Sequence, residues 1–92
     1  MGVTTAPTTA TVRVRYFAGA RAAAGITEES VQLASDATMR ELIDELADRH
    51  GATLTKVLTA CSFLRDGVAV RDRAVALPDG SAVDVLPPFA GG

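Results

Sequence analysis

The chain has 92 residues, of which 48% are hydrophobic and 22% are charged, proportions typical of one ordinary globular domain rather than a disordered segment. Nine basic and eleven acidic residues give a net charge of -2, which argues against nucleic acid as a main partner. No apolar run approaches the roughly 20 residues that a membrane span requires. A domain of this size has little volume for an internal active-site cavity.

The first ten residues form a polar lead-in that lacks the basic start and apolar stretch of a secretory signal. They also miss the myristoylation pattern, because Ala6 stands where Ser or Thr is needed. Cys61 is the only cysteine, so neither an internal disulfide nor a cysteine metal cluster can form. We therefore expect a flexible lead-in over residues 1–10 and a cytoplasmic protein.

Residues 11–17 alternate apolar and polar side chains at the period of a half-buried strand. One face of this strand is predicted to meet the core, and Phe17 is a large apolar side chain on the other, otherwise polar face. The core-facing residues are Val12, Val14 and Tyr16, and the opposite face carries Arg13, Arg15 and Phe17. An alanine-rich helical turn over residues 20–24 follows, and Gly25 is suited to end it.

A second strand is predicted within residues 27–34, with Val31 and Leu33 facing inward. The clearest element is a helix over residues 39–50, because its apolar side chains recur at the spacing of one buried stripe. The stripe consists of Met39, Leu42, Ile43, Leu46 and Ala47.

The boundaries of this helix are marked in the sequence. Thr38 followed by Glu41 is a capping-box pattern, and Gly51 is placed to end the helix. His50, in the last turn, is expected to interact with the terminal carbonyl groups.

The second half of the chain contains short elements. Residues 54–60 are predicted to form a helical turn, and Asp66-Gly67 is a two-residue hairpin signal between residues 61–65 and 68–70. Cys61 is predicted to be a small buried hydrophobic residue at the start of a strand. The period leaves open whether Phe63 points inward or outward.

Residues 78–80 predict a turn, and residues 82–86 then alternate as a final strand that Pro87-Pro88 terminates. In this strand Val83 and Val85 are predicted to point inward, and Asp84 and Leu86 outward. One main helix across a mixed four- or five-stranded sheet buries all of these stripes. The prediction is an α+β fold, a ubiquitin-like β-grasp over residues 11–88, with a flexible tail at 89–92.

The tail ends in Gly91-Gly92, which has no side chain to react and offers a free carboxylate on a thin stem. Glycine lacks a Cβ and reaches backbone angles that other residues avoid, so the tail suits a narrow channel. Four residues beyond Pro88 can extend about 14 Å. Pro87-Pro88 stiffens the base, which reduces the entropy lost on docking.

The sequence resembles the ubiquitin-like sulfur carriers and, among them, the small subunit of molybdopterin synthase. The resemblance rests on three segments of this chain and covers about residues 11–92. They are residues 12–18 (VRVRYFA), residues 77–80 (LPDG) and residues 85–92 (VLPPFAGG).

The resemblance implies a protein co-substrate rather than a catalyst, with the catalytic residues on a large subunit. A ubiquitin-activating-like adenylyltransferase would use ATP to adenylate Gly92, and a sulfur donor would convert it to a thiocarboxylate. The large synthase subunit, in a heterotetramer, would take the sulfur for the molybdopterin dithiolene. The segment threaded into partner sites would be Pro87, Pro88, Phe89, Ala90, Gly91 and Gly92.

Phe17 and Leu86 are predicted to form a partner interface, because both point away from the main helix on neighbouring strands. We expect no bound cofactor and no metal site. The sequence also allows a sulfur carrier for thiamine or cysteine biosynthesis, a ubiquitin-like protein modifier joined through Gly92, or a plain interaction domain.

Overall fold

A computed structural model describes residues 9–88 of the chain as three helices and one five-stranded sheet. The strands are β1 (Thr9–Tyr16), β2 (Glu28–Ala34), β3 (Ser62–Arg65), β4 (Val68–Ala69) and β5 (Ala82–Leu86). The helices are α1 (Ala18–Ala24), α2 (Met39–His50) and α3 (Ala52–Leu58). None of the helices in this described part of the chain is both long and apolar enough to cross a membrane.

The strands are arranged in the order β2-β1-β5-β3-β4. The central pair, β1 and β5, is parallel, and the other three pairs are antiparallel. The sheet is therefore mixed. Strand β2 follows β1 and pairs with it antiparallel, whereas the chain crosses over before β5 and so places it parallel to β1. This confirms the predicted α+β fold, a ubiquitin-like β-grasp with five strands.

The core lies between the helices and one face of the sheet. The alternation in β1 buries every second side chain, and Val12 and Val14 are fully enclosed. Helix α2 contributes the middle of its apolar stripe, and Ile43 and Ala47 pack partly exposed at the margin of the stripe. The fully buried members of the stripe are Met39, Leu42 and Leu46. Because the helices cover one face only, the opposite face, here called the open face, meets solvent.

Local sequence signals are confirmed where backbone geometry depends on a few neighbouring residues. Thr38 and Glu41 form a complete capping box at the start of α2. Asp66 and Gly67 both have positive φ, 50° and 86°, as a type I′ hairpin turn requires.

Strand β1 begins two residues earlier than predicted. Thr9 pairs with Ala34 and Ala10 with Leu33 on β2, and the side chain of Ala10 is buried. The alternation of exposed and buried positions thus continues into the predicted lead-in, but small Ala and Thr side chains give a weak apolar signal. The remaining residues of the lead-in, 1–8, lie outside the described part of the chain.

Candidate functional site

The site is built where the two central strands end. Since β1 and β5 are parallel, their carboxyl ends meet at the same edge of the sheet. Tyr16 pairs with Val85, so the next step of the register places Phe17 beside Leu86. The backbone N–H of Phe17 donates to the carbonyl of Val85 at 3.2 Å, which extends the pairing to this point. Phe17 and Leu86, which the sequence placed on neighbouring strands, therefore lie next to each other at this edge.

The open face carries an apolar strip at this edge. The side chain of Phe17 is 37% exposed, and Leu86 is half-buried. Leu64 on β3 pairs with Asp84, which places it on the same face, where it is also half-buried. Phe63, whose orientation the sequence left open, pairs with Val85 and points into the core instead. The strip thus runs across three strands.

A charged pair lies within this apolar strip. The guanidinium of Arg15 donates to both carboxylate oxygens of Asp84, from Nε at 2.7 Å and from NH2 at 3.0 Å. The hydrogen bond to Asp84 is the main cause that raises the pKa of Arg15. The Arg15 guanidinium carbon also lies 5.8 Å from the centre of the Phe17 ring, within reach of a cation–π contact. The two-pronged pair fixes a planar cation beside the aromatic side chain.

An open cleft lies next to Phe17 on the same face. Its lining includes Arg13, Arg15 and Arg21, together with Glu28 and Ala82. Arg13 lies 4.0 Å from Glu28, so its charge is weakly paired. In the described residues, Arg21 has no carboxylate within 4.0 Å. The edge that carries Phe17 therefore combines apolar surface with positive charge.

The predicted tail begins at this edge. Pro87 is half-buried and Pro88 is exposed, directly after the end of β5. The other predicted tail residues, Phe89, Ala90, Gly91 and Gly92, lie outside the described part of the chain. Their assignment as the threading segment, with Gly92 as the reactive group, remains a prediction.

A second polar cluster lies on the helix side of the sheet, and it corrects the prediction for His50. The Nε2 atom of His50 contacts Oε2 of Glu29 at 2.5 Å instead of capping the carbonyl groups of its own helix. The same oxygen accepts from the Tyr16 hydroxyl at 2.5 Å, and Oε1 accepts from Arg49 at 3.0 Å. We call these four residues the Glu29 cluster. The prediction for His50 was wrong because β2 places the carboxylate of Glu29 under the end of α2, a contact between elements that the local sequence does not show.

Burial of Glu29 acts to raise its pKa, but its hydrogen bonds to Tyr16, His50 and Arg49 together outweigh burial and lower it. The pKa of Tyr16 is raised, first by burial and then by its hydrogen bond to Glu29. The hydrogen bond to Glu29 likewise raises the pKa of Arg49. The cluster is thus an ionised carboxylate enclosed by three donors, which stabilises the fold on the helix side of the sheet.

The thiol of Cys61 and the side chains that bind metal ions are two further kinds of group with their own chemistry. Cys61 is buried just before β3, as predicted, and burial raises the pKa of its thiol, which disfavours the reactive thiolate. Within residues 9–88, His, Cys, Asp and Glu side chains nowhere gather in a group of three or more that could hold a metal ion.

The sequence did not single out Leu64 or the pairing of Arg15 with Asp84. The alternating patterns of β1 and β5 predict that Arg15 and Asp84 both lie on the outer face of the sheet. They do not predict the register that places the two side chains opposite each other. The order of strands in the sheet decides which outward residues meet.

Comparison with known proteins gives concordant results. A family model described as the ThiS family matches residues 14–92. The molybdopterin synthase sulfur carrier subunit of Chlamydomonas reinhardtii is 34% identical over 82 residues, which cover 88% of this chain and 98% of that protein.

Two solved structures share the fold. The HVO 2177 protein of Haloferax volcanii superimposes with a TM-score of 0.81 at 28% identity, covering 99% of this chain and 94% of that one. Small archaeal modifier protein 1 of H. volcanii has a TM-score of 0.77 at 25% identity, covering 87% and 99%. These findings confirm the resemblance to sulfur carriers seen in the first strand and the tail. Since the family match spans most of the chain and includes its last residue, the chain belongs to the ThiS family.

Proposed function

We propose that this chain is the sulfur carrier subunit of molybdopterin synthase and that Gly92 carries the sulfur. The observation that supports this most is the match to the algal sulfur carrier subunit, which extends over almost the whole of that protein. The family match also continues to residue 92, so it includes the Gly-Gly tail.

The proposed chemistry takes place at the terminal carboxylate, within the active sites of partner proteins. A carboxylate oxygen of Gly92 attacks the α-phosphate of ATP, and pyrophosphate leaves. A donor at the oxidation level of sulfide then attacks the acyl carbon, so that AMP leaves and a thiocarboxylate forms. Adenylation is required because a free carboxylate is a poor electrophile. Both steps depend on an adenylyltransferase, since this chain supplies the substrate and not the catalyst.

The described part of the chain supports this role through the position of the tail. Pro87-Pro88 leaves the sheet beside Phe17 and Leu86, so a partner that covers this edge also receives the tail. An apolar strip with a polar and charged margin is the usual composition of a protein interface. We propose that the large synthase subunit docks here, in a heterotetramer, and that the reactions take place in the cytoplasm.

The decisive experiment measures the intact mass of the chain after incubation with the adenylyltransferase, ATP and sulfide. The expected result is a mass gain equal to the replacement of one oxygen by sulfur. A variant lacking Gly92 and a variant with one alanine added after Gly92 should show no gain, with unchanged circular dichroism. If the extended variant gains sulfur at the wild-type rate, the terminal carboxylate is not the reactive group.

Two further tests separate the pathways. Supplying the thiocarboxylate form to the large subunit of molybdopterin synthase, and in parallel to the acceptor enzymes of thiamine and cysteine synthesis, identifies the acceptor. The second candidate function is a protein modifier, which the similarity to small archaeal modifier protein 1 favours. Ladders of higher mass on a denaturing gel that disappear when Gly92 is removed would support that function.

A further inference from the structure

The β3–β4 hairpin and the loop after it present an exposed surface of a different composition from the open face. Val68 is 66% exposed, the most of any large hydrophobic side chain in the described residues. Beside it lies a pocket of about 120 Å³ whose lining includes Val68, Val75, Arg65, Arg71 and one acidic residue, Asp72. Apolar groups and guanidinium groups thus share one small concavity at the end of the sheet.

The carboxylates in this segment are engaged by the backbone. Oδ1 of Asp66 accepts from the N–H of Ala82, and Oδ1 of Asp72 accepts from the N–H of Ala74, both at 2.9 Å. They satisfy turn and loop donors, and neither carboxylate lies within 4.0 Å of a cationic side chain in the described residues.

The arginines around the pocket therefore have no carboxylate partner in the described part of the chain. Among residues 9–88, no Asp or Glu lies within 4.0 Å of the cationic side chains of Arg40, Arg65, Arg71 or Arg73. Arg65 donates to the carbonyl of Ala76 at 3.0 Å, and Arg73 stacks 5.1 Å from the centre of the Phe63 ring.

These four residues lie in one region. The backbone N–H of Arg40, in the first turn of α2, donates to the carbonyl of Arg73 at 2.9 Å, which joins the helix to the loop. On the open face, by contrast, Arg15 is paired with Asp84 at 2.7 Å, and Arg13 is weakly paired with Glu28 at 4.0 Å. Among residues 9–88, four of the six Lys and Arg side chains without a carboxylate within 4.0 Å therefore lie around the hairpin, and the other two are Arg21 and Lys56.

We propose that this hairpin surface, defined as Arg40, Arg65, Val68, Arg71, Arg73 and Val75, docks an acidic segment of a partner protein. Guanidinium groups form two-pronged hydrogen bonds with carboxylates, and the valine-lined pocket accepts an apolar side chain between the acidic ones. The inference is independent of the chemistry at Gly92, because it concerns a surface outside the open face.

A peptide suits this surface better than a nucleic acid. Asp66 and Asp72 lie among the arginines, and the unbroken negative charge of a phosphate backbone would meet more of their repulsion than a peptide whose carboxylates are spaced by apolar residues. The pocket is also lined by valines and offers no exposed aromatic ring on which a base could stack.

The test is a nuclear magnetic resonance titration of the isotope-labelled full chain. The probe is a peptide of about ten residues that alternates glutamate with leucine. We expect amide shifts concentrated in residues 65–75, and loss of those shifts at about 0.5 M sodium chloride because salt screens exposed charges. Arg71→Glu should weaken binding about fivefold or more, since it replaces attraction by repulsion. Lys56→Glu on α3 makes the same change in charge away from this surface and should leave the affinity unchanged.

Three results would overturn the proposal. The first is an absence of shifts in residues 65–75, and the second is an equal response to a peptide with lysine in place of glutamate. The third is tighter binding of a single-stranded oligouridine at the same residues, which would assign the surface to nucleic acid. If the shifts instead gather at Arg13 and Arg21, the acidic peptide prefers the open face and the proposal is wrong.

Discussion

Glu28 and Glu29 are adjacent in the chain, yet they lie in opposite environments because successive side chains of a strand point to opposite faces. Glu29 pairs with Val14 and lies on the helix side, where three donors enclose its carboxylate. Glu28 pairs with Arg15 on the open face, and its ion pair with Arg13 is 4.0 Å long.

The Glu29 cluster and the Arg15–Asp84 pair differ in the same way as the two glutamates. The Glu29 cluster is largely closed to water and joins β2 to the end of α2, so its hydrogen bonds act on stability. In the Arg15–Asp84 pair the carboxylate of Asp84 is buried, but the Arg15 side chain is 51% exposed and lies beside Phe17. The same residue types thus stabilise the fold on one face of the sheet, and in the complex proposed above they would serve recognition on the other.

The largest effect on stability is expected from Glu29→Gln. It removes the charge that accepts from Tyr16, Arg49 and His50, and we expect the free energy of unfolding to fall by about 2 kcal/mol. Urea unfolding followed by circular dichroism measures this change. Glu28→Gln is the matched control and should be indistinguishable from wild type. Equal losses for the two variants would contradict the assignment of different roles to the two faces.

The second effect is on the ionisation of Tyr16. Tyr16 is the only tyrosine and there is no tryptophan, so phenolate absorbance in the near ultraviolet reports this residue alone. Because its folded-state pKa is raised above the ordinary tyrosine value of 10.0, its contribution to stability is complete below that pH and is lost as the pH rises further. We expect little phenolate at pH 10 in the folded protein, where a free tyrosine is half ionised. Half ionisation at pH 10 before unfolding would show that the hydroxyl is not enclosed.

The third effect is on partner binding rather than on stability. Phe17→Ala should weaken binding to the large synthase subunit about tenfold or more, because a central aromatic side chain contributes strongly to an interface. Calorimetry of the purified pair measures the affinity. Val57→Ala is the control, since Val57 is also only partly buried but lies on α3, on the helix side of the sheet. An identical response of the two variants would remove the open face from the interface.

The smallest effect on stability is expected from Asp84→Asn. The neutral amide keeps the shape but loses the charge that holds Arg15, and the partner groups remain partly in water. We expect a shift in the urea midpoint smaller than half of that for Glu29→Gln, together with weaker partner binding as the Arg15 guanidinium becomes less ordered beside Phe17. A larger loss of stability than for Glu29→Gln would reverse the comparison.

Much of the fold was predictable because its signals are local. The limits of α2, its capping box and the positive φ angles at Asp66 and Gly67 depend on residues within one turn of chain. The inward residues of β1 and β5 follow from the alternation of side chains, which the sequence displays directly. The family resemblance was also visible in the first strand and the tail.

Pairings between distant residues were not predictable in the same way. Glu29 and His50 are 21 residues apart, and Arg15 and Asp84 are 69 apart, so nothing in the local pattern joins them. Their meeting depends on strand order and register, which the burial of the whole core decides. The sequence by itself therefore determined the elements, their inward faces and the family. Only the tertiary structure decided which outward and half-buried charges meet, because that choice is made by packing across the sheet.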